Sequence, residues 1–203
     1  MIEKPADTEQ TIEKVIAERW SGRGYDASVP VSDEQIIALC EAARWAPSCF
    51  GDQPWRFIIW NKHQDEHAWQ QVLQCLAPGN QEWAKNASVL ILAASVKTFS
   101  HNDKDNRWVG YDTGAASISL CLQATAMGLM SHQMGGFDGE KIKNTFAIPD
   151  NIECWAMIAV GQPVALDSLS DEQLERELKA RERRPLTEQF FSNGWNKPIK
   201  SGG

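Results

Sequence analysis

The sequence predicts a single α+β domain on three observations. Three short apolar runs, Trp55 to Trp60, Ser88 to Ser95 and Cys154 to Gly161, have the length and residue types of strands buried on both faces and central in one sheet. Between the second and third lies Tyr111 to Leu129, a long helical stretch poor in charge and rich in small residues. No repeat, low-complexity block or dividing linker interrupts residues 1–203, so all elements are expected to share one domain.

In chain order, Ile12, Val15, Ile16 and Trp20 recur at helical spacing, which predicts a helix over Thr8 to Trp20 that stops at the Ser21-Gly22-Arg23-Gly24 turn. Ser32 with Gln35 forms a capping box, and Ile36, Leu39, Cys40 and Ala43 then make one helical stripe until Pro47 stops it. A loop, Pro47 to Pro54, leads into the first strand run. The Tyr111 to Leu129 helix is apolar nearly all round, so it must be covered on all sides, as a core helix or in a subunit interface. Asp171 to Arg184 reads as an exposed helix. Beyond it, Pro185 to Gly203 is irregular, and Phe190, Phe191 and Trp195 suggest an arm packed on a partner chain.

Composition narrows the function classes. At 42% apolar and 23% charged the chain is ordinary globular material, and a net charge of −7 argues against a nucleic-acid partner, which needs a broad basic surface. The acidic start without an apolar core segment, and the lack of a membrane-length apolar run, give the expectation of a cytoplasmic protein with no membrane partner. Five cysteines, an odd number with no close framework, read as reduced and mostly buried thiols. Nine tryptophans supply flat rings for a core, an interface or a planar ligand.

Several short motifs fail on context. Gly22 to Ala27 matches the letters of a dinucleotide fingerprint, but a helix precedes it where a strand is required. His63 and His67 match a zinc-binding pattern but follow a strand run directly and have no third ligand in view, so a solvated helix start is expected there and no metal site. Cys49 and His132 would make a nucleophile and base only if the fold joined them. Asn86-Ala87-Ser88 has meaning as a glycosylation triplet only in a secreted chain. The basic residues are more informative. Arg19 and Arg23 flank Ser21 at a helix end, and Arg181, Arg183 and Arg184 stand far along an otherwise acidic chain. Guanidiniums, a hydroxyl and turn amides are the donors a phosphate monoester requires.

The segment Ala46-Pro47-Ser48-Cys49-Phe50-Gly51-Asp52-Gln53-Pro54-Trp55 resembles the flavin loop of the nitroreductase family, Pro-Ser-x-x-Asn-x-Gln-Pro-Trp. The resemblance continues through Arg19 to Arg23, Gly79-Asn80, Tyr111-Asp112-x-Gly114, Gly128-Leu129, His132 to Asp138, Val160 to Pro163 and Arg183 to Leu186. It implies a three-layer α-β-α fold around a mostly antiparallel sheet, an intertwined homodimer, and flavin mononucleotide (FMN) bound at the subunit interface. Under it, Arg19, Ser21, Arg181 and Arg183 would clamp the phosphate, with Trp20 alongside, and Arg23 would sit at the flavin N1 and O2 edge. Pro47, Ser48, Cys49, Phe50 and Gly51 would lie along the ring from the second subunit. Asn80 would bond the pyrimidine edge, and the backbone at Met134, Gly135 and Gly136 would address N5 and O4. Gly51 departs from the family asparagine, which removes a ring contact or leaves it to Asp52 or water.

The activity implied is ping-pong hydride transfer from NADH or NADPH to a small acceptor, a nitroaromatic, quinone or similar, with the chemistry on the flavin and no catalytic side chain. Rival readings are a same-scaffold enzyme of another reaction class, such as a reductive dehalogenase or flavin destructase, and a non-catalytic FMN carrier or sensor. A metal or thiol enzyme would rest on His63 and His67 or on Cys49. The segment Ala93 to Trp108, which covers substrate access in this family, matches nothing that names a substrate.

Overall fold

The computed structural model describes residues 4–200. Strands β1 (Trp55–Asn61), β2 (Val89–Val96), β3 (Met130–Met134) and β4 (Ile152–Gly161) form one wholly antiparallel sheet in the order β1-β2-β4-β3. Side chains alternate across β2. Val89, Ile91 and Ala93 face a helical layer built by α2 (Asp33–Arg44) and α5 (Val109–Ala126), with Leu39 and Leu120 in its core. Leu90, Leu92 and Ala94 face the opposite layer, where α3 (Glu66–Leu73), α4 (Pro78–Ala84) and α6 (Gly139–Phe146) contribute Trp69, Trp83 and Ile142. Two apolar cores on one sheet make the three-layer α-β-α arrangement that the family resemblance implies.

Local chemistry sets the boundaries. The amide of Gln35 donates to Ser32 Oγ at 3.2 Å and the Ser32 amide donates to Gln35 Oε1 at 3.0 Å, so the capping box at the start of α2 forms as read. The helix start expected at His63 to His67 becomes α3, two further layer helices, α4 and α6, were not expected, and the starts of all three carry local signals. Asp65 and Asp138 cap α3 and α6, and Pro78 opens α4, where a missing amide hydrogen costs nothing. Strand β3 was also missed because Met130 to Met134 is too short to carry an alternation signal.

Four expectations change. Strand β1 is an edge of the sheet formed by the described residues, and Arg56 on it is exposed. The helix predicted over Thr8 to Trp20 is one short element, α1 (Lys14–Glu18). The charged helix predicted to Arg184 is α7 (Asp171–Leu178), and Glu177 within it is buried. Only Cys75 and Cys121 are buried; the other three cysteines, also free thiols, are half-buried. Helix α5 ends where Gly128 adopts φ +72°, a conformation that glycine takes without a Cβ penalty and that turns the chain into β3. One stripe of α5 is buried, whereas Tyr111 and Ile118 are exposed on its other side. After Pro185 the chain forms the one-turn α8 (Leu186–Gln189) and a Phe191–Pro198 bridge, leaving Phe190 and Trp195 exposed.

Candidate functional site

The turn that leaves α1 and the chain that leaves α7 meet around a pocket of about 320 Å³. Arg19, Trp20, Ser21 and Arg23 line it from one side, Arg181 and Arg183 from the other, so residues 160 or so apart in sequence become neighbours. Arg181 builds the wall: its Nη1 donates to the carbonyls of Lys4 and of Ala17 (2.8 Å), and its Nη2 donates to that of Arg19 (3.1 Å). Burial pushes the Arg181 guanidinium below its ordinary pKa, and the positive charges of Arg19 and Arg183 push it the same way. Arg19 Nη1 donates to Ser21 Oγ at 3.3 Å. None of the four ion pairs among the described residues involves Arg19, Arg23, Arg181 or Arg183. Crowded cations without ion-pair partners concentrate positive charge locally in a chain of net negative charge.

One acid lines this pocket, and the sequence reading missed it. Glu177 is buried, accepts the Arg23 amide on Oε1 at 3.0 Å, and has its carboxyl pushed above the ordinary range by burial. The only signal for it was its place on α7 between Leu174 and Leu178, on what reads as a solvated face.

From Arg23 the site extends toward β3. The Arg23 guanidinium lies 5.8 Å from the Trp83 ring centroid, and Trp83 sits 4.6 Å from the His132 ring. His132 Nδ1 is 3.0 Å from the Gly22 carbonyl, and burial holds the imidazole below its ordinary pKa. On the same helix as Trp83, Asn80 donates its amide to the Gly136 carbonyl at 3.0 Å, so two residues singled out separately in the sequence meet. A Cβ at Gly136 would stand 2.7 Å from Asn80 Nδ2, so glycine is required for this approach. Gly135 is exposed, while Met134 is buried in the core with its side chain turned from solvent.

The loop Pro47 to Gln53 stands apart. The Cys49 amide donates to the buried Asp112 Oδ2 at 3.0 Å, tying the loop to α5, and Ser48 Oγ accepts the Gln53 amide at 3.0 Å. Phe50, Gly51 and Gln53 all have positive φ, and Phe50 is 85% exposed beside Phe99 and His101. Asp52 Oδ1 accepts both the amide (2.9 Å) and the hydroxyl (2.7 Å) of Ser100, so one carboxylate oxygen is already engaged. Pro47, Ser48 and Gly51 line a separate groove that shares no residue with the arginine pocket. A larger cavity of about 380 Å³ lies beyond Trp20 and Glu177, lined mainly by apolar side chains such as Leu129 and Leu169.

The other candidates stay scattered. His132 hydrogen-bonds the Gly22 carbonyl and Cys49 is tied to α5, with no hydrogen bond joining the two. His63 sits in the turn before α3, whereas His67 is inside that helix.

The fold is a three-layer α-β-α arrangement on one antiparallel sheet, and the pocket between the exits of α1 and α7 is lined by guanidiniums. Residues 16–162 match the model of the Nitroreductase family, and the chain belongs to that family. A solved structure described as an oxidoreductase containing FMN is 33% identical, with a TM-score of 0.87 over 97% of this chain and 100% of that one. A 15.4 kDa protein of Mycolicibacterium smegmatis with no assigned activity is 32% identical over 61% of this chain and 82% of its own. A protein of Polynucleobacter asymbioticus, provisionally named NADH dehydrogenase/NAD(P)H nitroreductase, is 28% identical over 66% of this chain and 76% of its own. No helix among the described residues is long and apolar enough to cross a membrane.

Proposed function

We propose that this protein is an FMN-dependent oxidoreductase that passes hydride from NADH or NADPH to a small acceptor, a nitroaromatic, quinone or similar, and that it works as a homodimer. The observation that carries the reading is the arginine pocket: Arg19, Arg23, Arg181 and Arg183 converge with Ser21 and have no carboxylate ion-pair partner. That donor set fits a phosphate monoester, and the Asn80–Gly136 pair, reached through Trp83, supplies amide groups for a flat heterocycle. The similarity to an FMN-containing oxidoreductase structure supports the same assignment.

When bound, FMN supplies the hydride chemistry, and the chain's own groups bind, orient and exclude water. Arg19, Ser21 and Arg183 hold the phosphate. Arg181 adds charge while its fork keeps the pocket wall in place. Arg23 would supply a cation at the pyrimidine edge, where it would favour negative charge and raise the reduction potential. Trp20 walls the pocket, and the backbone of residues 134–136 would address the ring. Donor and acceptor use one cavity in turn, which gives ping-pong kinetics.

Dimerisation is supported by the apolar groups that one chain leaves open on the α2 and α5 layer, including Ile37, Tyr111 and Ile118. In this reading residues 47–51, which lie away from the arginines of their own chain, face the flavin of the partner, and the arm from about residue 185 packs on that partner.

An absorption spectrum of protein incubated with FMN and desalted, followed by anaerobic NADPH and then NADH, tests the assignment. Bound flavin bands that bleach are expected and identify the donor. Retained bands that do not bleach mean a carrier, and the loss of all flavin on desalting overturns the reading. Turnover of a halogenated aromatic instead of a nitroaromatic or quinone would move the protein to a dehalogenase on the same scaffold.

A further inference from the structure

One peptide group in the arginine turn is held at both of its ends. The carbonyl of Gly22 faces His132 Nδ1 at 3.0 Å, and the amide of Arg23 donates to Glu177 Oε1 at 3.0 Å. These two groups are the C=O and N–H of the same peptide bond. Because a carbonyl only accepts, the imidazole must carry its proton on Nδ1, and the carboxylate acts as acceptor on the other end. The two side chains come from elements distant in sequence, β3 and α7, and both bond this one peptide group.

Their surroundings are unusual enough to require a role. Glu177 is only 3% exposed, and burial of an acid in a folded chain ordinarily demands a partner. The His132 ring is tilted by 34° against that of Trp83 at 4.6 Å, and the Arg23 guanidinium lies 5.8 Å from the same Trp83 ring. The turn needs such support because residue 22 is glycine. With no side chain, the 22–23 peptide plane has little steric barrier to flipping, and a flip would exchange a donor for an acceptor between Ser21 and Arg23. A side chain at position 22 would stiffen the turn only by overpacking it, since a Cβ there would stand 2.2 Å from Met130 Sδ.

We propose that His132 and Glu177 act together as positioning residues: they clamp the Gly22–Arg23 peptide and so fix the orientation of Arg19, Ser21 and Arg23 toward the FMN phosphate and ring edge. The clamp rests on the FMN assignment above. It also accounts for a carboxylate kept beside an anion site, where simple electrostatics would remove it: the acid is retained for the bond it accepts.

The test is FMN titration, by fluorescence quenching, of the full-length chain stripped of flavin, with thermal unfolding of the same samples and the absorption maxima of the bound flavin. Four variants separate bonding from charge and from packing. Glu177→Leu and His132→Phe remove the bonds, whereas Glu177→Gln keeps the Oε1 acceptor and His132→Asn places an Nδ2 donor near the position of Nδ1. Binding weaker by about tenfold or more is expected for the first two, with shifted flavin bands, and recovery to within about threefold for the last two. The Leu/Phe double variant should lose little more than the worse single, since both act on one peptide bond.

Tighter FMN binding by Glu177→Leu would show that the carboxylate only repels the phosphate and would overturn the clamp. Equal losses in the conservative and the disruptive variants would do the same. Should Leu or Phe fail to fold, Gln and Asn decide alone: affinity near wild type supports the clamp and a tenfold loss refutes it. Wild-type protein that does not bind FMN overturns the functional assignment as well, whereas wild-type binding with unaffected Leu and Phe variants overturns the clamp alone.

Discussion

Adding one methyl group at Gly22 should damage both the fold and the site. In Gly22→Ala the new Cβ would stand 2.2 Å from Met130 Sδ, 2.8 Å from Trp20 Cη2 and 3.0 Å from Glu177 Oε2. Carbon contacts are comfortable near roughly 3.5–4.0 Å, so all three neighbours must retreat. Met130 has three rotatable bonds and can yield part of the distance, but Glu177 is fixed by the Arg23 amide and Trp20 walls the pocket. Overpacking of this kind costs about 1–3 kcal/mol. For a chain near 200 residues, a loss of about 2 kcal/mol lowers Tm by roughly 4–8 °C. Thermal unfolding followed by circular dichroism on protein freed of flavin reads this directly, and FMN titration of the same sample should show weaker binding. A Tm within about 1 °C of wild type, with unchanged FMN affinity, would refute the packing described around the turn.

Three further outcomes are expected. Arg181→Ala removes a fork that holds three backbone carbonyls and should lower stability by about 1.5–3 kcal/mol in denaturant unfolding. Arg183→Ala, whose side chain bonds only the adjacent Glu182 carbonyl, should leave stability within about 0.5 kcal/mol and weaken FMN binding instead; the opposite pattern would exchange the two roles. Gly51→Asn should be tolerated, because φ at this residue is +67°, a region asparagine enters readily, and a Cβ there meets nothing within 4 Å. With the family amide restored, FMN should bind about 3–10-fold tighter, the worth of one net hydrogen bond, and unchanged affinity would mean that the loop does not reach the ring. The last outcome concerns pH. His132 is held below its ordinary value of 6.5, first by burial and then by Arg23 and Arg19, against the raising effect of its bond to Gly22. The folded chain therefore binds fewer protons here than the unfolded chain, so stability should fall as pH is lowered below 6.5, and His132→Asn should show a shallower fall over that window. Parallel profiles would show that the ring does not titrate in this way.

Periodicity and capping chemistry were legible because they are local. The Ser32–Gln35 box and the three apolar runs act within a few residues, so each can be read without knowing what lies nearby. Strand β3 failed that reading, since its five residues become a strand only by pairing with β4. The family motifs were equally local, and they pointed to Arg19, Asn80 and Gly136 before their contacts were visible. Glu177 was not legible: an acid on a charged helix reads as solvated, and only the approach of α7 to the Arg19–Arg23 turn buries it.

By itself the sequence determined the chemistry available: guanidiniums beside a hydroxyl, a glycine-bearing turn, an apolar sheet and a long helix poor in charge. Tertiary structure decided which of those groups meet. It brought Arg181 and Arg183 to Arg19, turned Arg181 from a free ligand into a strut for three carbonyls, and put His132 and Glu177 on the two ends of one peptide bond. The physical reason is range. Propensity and capping depend on neighbours within a turn or two of the chain, whereas a binding site depends on distances between elements that only the packing of both helical layers on one sheet can set.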